Sequence, residues 1–211
     1  MITDEQMRNA PPYGRLLRFF LWLVPKLKPV LQWPFWLLFR NTAASRLGKV
    51  YRLRDEGKFR DGWVIAVETA RRSRAKPGSM RSLFWWQLVA AAAGCAAELG
   101  AEESAAIEEL LASAPEPGGM LAAQTYASLA QARWRAADPE GAIKASRLAV
   151  DADGTWAHGH VLLGWYGLMT RRFDPLPHLR AAIAADAAAL GRIREIPEFT
   201  NAPGLLDALL T

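Results

Sequence analysis

An all-α fold, a row of short helical hairpins preceded by a hydrophobic, aromatic and basic helical segment, is what this sequence predicts, on three observations. After residue 40, alanine, leucine and arginine recur at three- and four-residue spacing, the period of helices with one apolar face. No stretch alternates apolar and polar residues as a half-buried strand would. Residues 123–156, slid onto 157–190, match at places where helices would touch, and self-similarity at a fixed period marks a repeated supersecondary unit.

The segment at the front comes first. Residues 19–39, FFLWLVPKLKPVLQWPFWLLF, are the most apolar run of the chain, yet they hold three prolines and two lysines. Lys26 and Lys28 would sit near the middle of a spanning helix, each costing about 2.5–3.5 kcal/mol there. Pro25 and Pro29 would break the backbone ladder where no water can replace it, so a simple single span is disfavoured. Asp4, Glu5 and Pro11-Pro12 before the run, and its short uninterrupted core, also speak against a cleaved signal peptide.

In pieces, residues 14–24 make a short helix bearing Arg15 and Arg18, and residues 25–29 an extended corner. Pro34 suits the first turn of a second helix running to about Arg54, because its missing N–H costs nothing there. The charge is lopsided in the same direction. Residues 1–81 hold 17 Lys and Arg against 6 Asp and Glu, a net +11, while residues 82–211 hold 9 against 15, a net −6. Between Glu5 and Asp55 there are ten basic residues and no acid.

A basic, aromatic, apolar segment fits an anionic membrane surface: indoles sit at the interface, lysines snorkel, and each cation near the headgroups contributes about 1 kcal/mol. The residues expected to face it are Arg15, Arg18, Phe19, Phe20, Trp22, Lys26, Lys28, Trp33, Phe35, Trp36, Phe39 and Arg40. The alternative is a strap that packs on protein, whether the rest of the chain, a partner or a second copy in a homo-oligomer. The chain thus divides into 1–40, a membrane-interface or contact segment, and 41–211, the helical body, at the cytoplasmic face of a membrane. A single cysteine, Cys95, in an alanine-rich setting excludes an internal disulfide and fits a reducing compartment.

Within the body, Gly, Pro and Asp punctuate the helices at Gly57, Lys76-Pro77-Gly78, Gly100, residues 114–119, Asp138-Pro139, Asp153-Gly154 and Asp174-Pro175. The self-similarity pairs Leu129-Ala130 with Leu163-Gly164, Pro139 with Phe173, Ala142 with Leu176 and Ala149 with Ile183, a period of 34. Residues 128–150, SLAQARWRAADPEGAIKASRLAV, turn at residues 137–142; residues 162–183, LLGWYGLMTRRFDPLPHLRAAI, turn around Phe173. Two looser copies turn at Gly57 and Gly100, and the first three turns are spaced by 43 and then 37 residues.

In length, in Leu-Gly of the first helix and in small residues at the helix contact, residues 123–190 resemble the tetratricopeptide repeat family, with degenerate copies over 45–115. The resemblance implies a short right-handed solenoid, finished by a capping helix at residues 205–210, that presents a groove to a protein partner. An irregular helical bundle is the alternative fold. The groove residues expected from the first helices and the turn are Tyr126, Arg133, His160, Trp165, Arg171 and Arg172.

Little in the sequence points to a reaction. His158-Gly159-His160 lacks nearby ligands to complete a four-ligand metal set, and residues two apart on a helix diverge. Glu102-Glu103 and Glu108-Glu109 fall on an alanine-rich helix, where acids early in the helix offset its dipole and the rest form a solvated face. No phosphate loop or nucleophile motif is present. Arg71, Arg72, Arg74, Lys76 and Arg81 stand before Phe84-Trp85-Trp86, the residue types of a nucleic-acid surface, but the tryptophans run into an alanine-rich helix and read as core. The expectation is a membrane-tethered scaffold or adaptor for protein partners, with no enzyme activity, cofactor, metal or nucleic acid; a soluble scaffold using the aromatic segment as a protein contact is the alternative.

Overall fold

The computed structural model describes residues 43–73, 80–114 and 119–210. The N-terminal segment 1–40, with all twelve residues expected to face a membrane, lies outside the described residues, as do Arg74 and Lys76. Arg46–Thr211 forms one compact unit. The described residues are all-α and contain no strand.

The helices are α1 (Ala43–Asp55), α2 (Phe59–Arg72), α3 (Met80–Leu99), α4 (Ala101–Ala112), α5 (Gly119–Arg135), α6 (Pro139–Ala152), α7 (Ala157–Thr170) and α8 (Leu176–Ala185). Three short ones follow: α9 (Ala189–Glu195), α10 (Pro197–Thr200) and α11 (Leu205–Leu210). Gly57, Gly100, Asp138, Asp153-Gly154 and Asp174-Pro175 fall between two helices, and the breaks read at 76–78 and 115–118 lie outside the described residues. In chain order α2 packs on α3, α3 on α5, α5 on α6, α6 on α7, and α7 on α8. Gly62 of α2 brings α1 close, with Val50 O 3.5 Å and Leu53 Cβ 3.7 Å from where a Cβ would stand.

Two of the turns close in the same way. Glu56, Gly57 and Lys58 donate N–H to the carbonyls of Arg52, Arg54 and Leu53; Ala136, Ala137 and Asp138 donate to those of Ala132, Trp134 and Arg133. This closure satisfies the last orphan carbonyls of the helix through one left-handed residue. Gly57 fills that place at φ 72° and Ala137 at φ 59°; Arg171, 34 residues after Ala137, is also left-handed at φ 54°. After the middle turn, Asp138 caps α6 by accepting N–H of Gly141 at 2.8 Å, with Pro139 in the first helical turn.

The helix contacts explain the small residues. A Cβ on Gly164 would lie 2.7 Å from Leu179 Cδ2, and one on Gly167 would lie 2.7 Å from the Phe173 ring, so α7 meets α8 and its turn at backbone distance. One hairpin earlier the equivalent residues are Ala130 and Ala145, both in the core cluster with Leu129, Ala142, Ile143, Leu163 and Tyr166. Size has moved across the contact: alanine facing alanine in one hairpin, glycine facing leucine in the next. A second core cluster joins Val161, Leu179, Ile193, Phe199 and Leu205, tying α9, α10 and α11 onto the last hairpin.

Residues 82–99 of α3 are long and apolar enough to cross a membrane, but most of that stretch is buried inside the fold. Trp85 and Trp86 belong to this core and are hidden from solvent. Cys95 is wholly buried, its Sγ 3.3 Å from the place of a Cβ on Gly62, and burial pushes its thiol pKa up. Glu103 stands in the first turn of α4, is only 4% exposed and pairs with Arg60 of α2 at 2.7 Å. Its neighbours Glu108 and Glu109 reach Arg133 and Arg71 instead.

Candidate functional site

Helix α5 has two lined faces, set by its 3.6-residue period. Tyr126, Leu129 and Arg133 point to one side and, with Glu108, Asp138 and Lys144, line a cleft of about 500 Å³ among α4, α5 and α6. Gln124, Ala127, Ser128 and Gln131 point to the other. There, with residues of α1, α3 and the start of α7, they line a cleft of about 370 Å³.

The structure therefore distributes the residues expected to form one groove. Tyr126 and Arg133 share the first cleft, where Arg133 is held between Glu108 and Asp138, the latter at 3.5 Å. Arg172 lines an adjoining cleft with Arg147, Lys144 and Phe173, and pairs with Glu140 at 2.8 Å. Arg171 is the exposed left-handed turn residue. His160 is buried, its Nε2 3.0 Å from Gly154 O, so it links α7 to the preceding turn. Its ring stacks at 6.2 Å on His178. Trp165 alone of the six reaches the side that Gln124 and Gln131 face, in a cleft of about 330 Å³.

Sequence reasoning does not single out that side. Its floor is small: Ala90, Ala91 and Gly94 on α3 and Ala127 on α5. Arg54 of α1 overlies it, with Nη1 3.7 Å from the place of a Cβ on Gly94 and its guanidinium 5.2 Å from the Tyr51 ring centre. Trp156 and His158 close the far end, ring to ring at 5.2 Å. Partial burial, and then the charge of Arg192, hold the His158 pKa below the usual histidine value.

Gln131 and His158 also line a neighbouring cleft. That cleft is aromatic. Trp134 lies 5.0 Å from Trp165 and 5.1 Å from Tyr166, with Val161, Leu162 and Ile196 around them. Arg135 at its edge is already engaged by Glu98 at 2.7 Å. No acidic residue lines either cleft.

Among the described residues no group of three or more His, Cys, Asp or Glu is placed to hold a metal ion. The cleft under Arg54 has as polar groups that guanidinium, an imidazole, amides and hydroxyls, and Arg135 lines its neighbour. Such a set offers hydrogen bonds and positive charge, the means of recognition. No family model, curated protein or solved structure matches this chain.

Proposed function

We propose that this chain is a scaffold or adaptor that binds a protein partner along the face made by α1, α3, α5 and α7, while its N-terminal segment holds it at an anionic membrane surface. The observation that carries the reading is the pair of neighbouring clefts along the first helices of successive hairpins, which share Gln131 and His158. The 34-residue offset between the left-handed residues Ala137 and Arg171, and the shared closure at Gly57 and Ala137, support a short tetratricopeptide-like solenoid. A stack of hairpins presents its first helices on one face, and a face of that kind suits an extended partner. The chain catalyses no reaction of its own and assembles or organises a membrane-associated complex at the cytoplasmic face.

The test is flotation of the full chain, and of a chain starting at Thr42, with liposomes containing or lacking phosphatidylserine. The reading requires that only the full chain floats, and mainly with the anionic lipid. If neither floats and the full chain self-associates, the N-terminal segment is a protein contact and the membrane half of the reading is wrong.

A further inference from the structure

We propose that the cleft between α6 and the turn joining α7 to α8 is an anion site that takes a phosphate group carried on a small organic frame. The site lies apart from the first-helix face: none of its lining residues lines the clefts that share Gln131 and His158. It is independent of the partner-binding and membrane readings above.

The cleft gathers positive charge. Lys144 and Arg147 stand at positions i and i+3 of α6, on one side of that helix, and Arg172 enters from the turn, so three cations line a space of about 350 Å³. Glu140 is the one acid lining it, and it is engaged by Arg172 at 2.8 Å. Three cations against one acid leave a net +2 in the cleft. Lys144 and Arg147 have no carboxylate partner among the described residues, whereas Arg133, Arg135 and Arg172 are each paired. Arg147 is instead held over the Phe173 ring, 5.7 Å from its centre. A ring contact of this kind steadies the side chain and uses up no oxygen acceptor, which leaves the N–H fork for a ligand.

The charge selects phosphate over carboxylate. A single carboxylate would neutralise half of the net charge, while a phosphate monoester carries about −1.5 to −2 at pH 7 and three strong acceptor oxygens. An Arg fork and a Lys ammonium both suit those oxygens. The remaining lining is apolar, with Ile143, Leu148 and Phe173 beside the cations, and Leu148 is 38% exposed. That wall suits the carbon frame of an ester better than a bare ion. A soluble ester and a lipid headgroup offer this same chemistry.

The test is isothermal titration calorimetry of the full chain in mild detergent with phenyl phosphate, inorganic phosphate and benzoate. Phenyl phosphate should bind at least fivefold more tightly than inorganic phosphate and at least tenfold more tightly than benzoate. K144Q/R147Q should weaken its binding at least tenfold; both side chains are exposed, so circular dichroism should show the variant folded. His178 supplies a readout that a disturbed fold would not move. Burial first, then His160 and Arg147, lower its pKa, and Asp174 pulls the other way. A phosphate on Arg147 cancels part of that charge, so the His178 ring signal, identified by its loss in H178Q, should titrate at higher pH with phenyl phosphate present, and should not respond to it in K144Q/R147Q.

Phosphatidylcholine vesicles with and without phosphatidylinositol 4-phosphate separate the two sources. A gain from the phosphorylated lipid that K144Q/R147Q removes makes the ligand a headgroup; phenyl phosphate binding with no such gain makes it a soluble ester, and either result supports the site. Benzoate binding as tight as phenyl phosphate, binding unchanged in K144Q/R147Q, a His178 titration that ignores phenyl phosphate, or no binding of any probe each overturns the inference.

Discussion

Replacing Gly164 by alanine should destabilise the protein in one background and stabilise it in another. In the native chain the new Cβ would stand 2.7 Å from Leu179 Cδ2 and 2.9 Å from its Cγ. Leu179 is wholly buried against α9, α10 and α11, so it cannot swing into solvent. Overpacking of this kind costs about 1–3 kcal/mol, against a gain of about 1 kcal/mol from replacing glycine inside a helix. The expected net loss is about 1 kcal/mol. L179A alone should cost about 2–5 kcal/mol through its cavity. In that background the clash is gone, only the helix gain remains, and G164A should now stabilise by about 1 kcal/mol. The double variant G164A/L179A also restores the alanine-to-alanine contact that the preceding hairpin has at Ala130 and Ala145. Urea unfolding followed by circular dichroism gives the four stabilities. A coupling of about 1–3 kcal/mol is required; additivity to within about 0.5 kcal/mol would refute the reasoning.

Other expectations follow from the turns and the histidines. A137G should stabilise by about 0.5–1 kcal/mol, since Ala137 holds φ 59°, and G57A should destabilise by a similar or larger amount, since Gly57 holds φ 72°; melting temperatures should move in opposite directions. D138A should cost about 0.5–2 kcal/mol by uncapping α6, and D138N, which keeps an acceptor, should recover most of it in the same unfolding assay. The His178 pKa is lowered, first by burial, then by His160 and Arg147, against a smaller opposing pull from Asp174. Its unfolded value near 6.5 therefore lies above the folded one, and the unfolded chain binds the proton more readily. Stability from this group should be complete above about pH 6.5 and decline as pH falls through that value toward the folded pKa. The urea midpoint between pH 8 and pH 5 should drop less steeply in H178Q; a midpoint that rises on acidification would contradict the sign.

The helices were legible because their ends are marked by residues with few conformational alternatives. Gly57, Gly100, Pro139 and Pro175 announce themselves. The break between α8 and α9 does not. Alanines flank Asp186 on both sides, and the turn is visible only once Asp186 Oδ1 is seen to accept N–H of Ala188 at 2.9 Å. Site geometry was harder for a related reason. Periodicity separates Tyr126 and Arg133 from Gln124 and Gln131, but which face lies against α4 and α6 depends on partners distant in sequence. His160 reads as a groove residue until its Nε2 is found against the carbonyl of Gly154 inside the fold. Glu103 reads as an acid at a helix start until Arg60, from another helix, is found paired with it. Local rules placed the elements; long-range pairings decided which side chains remain available.

The buried thiol of Cys95 carries one more consequence. It is the single cysteine of the chain, sealed where α3 meets Gly62 of α2, with its ionisation suppressed by burial. A thiol-specific reagent can reach it only when those two helices part, so the rate of labelling under native conditions is a clock for that opening. The second hairpin thus comes with its own reporter, and adding a bound peptide or a lipid surface should slow the clock only to the extent that either one holds α2 and α3 together.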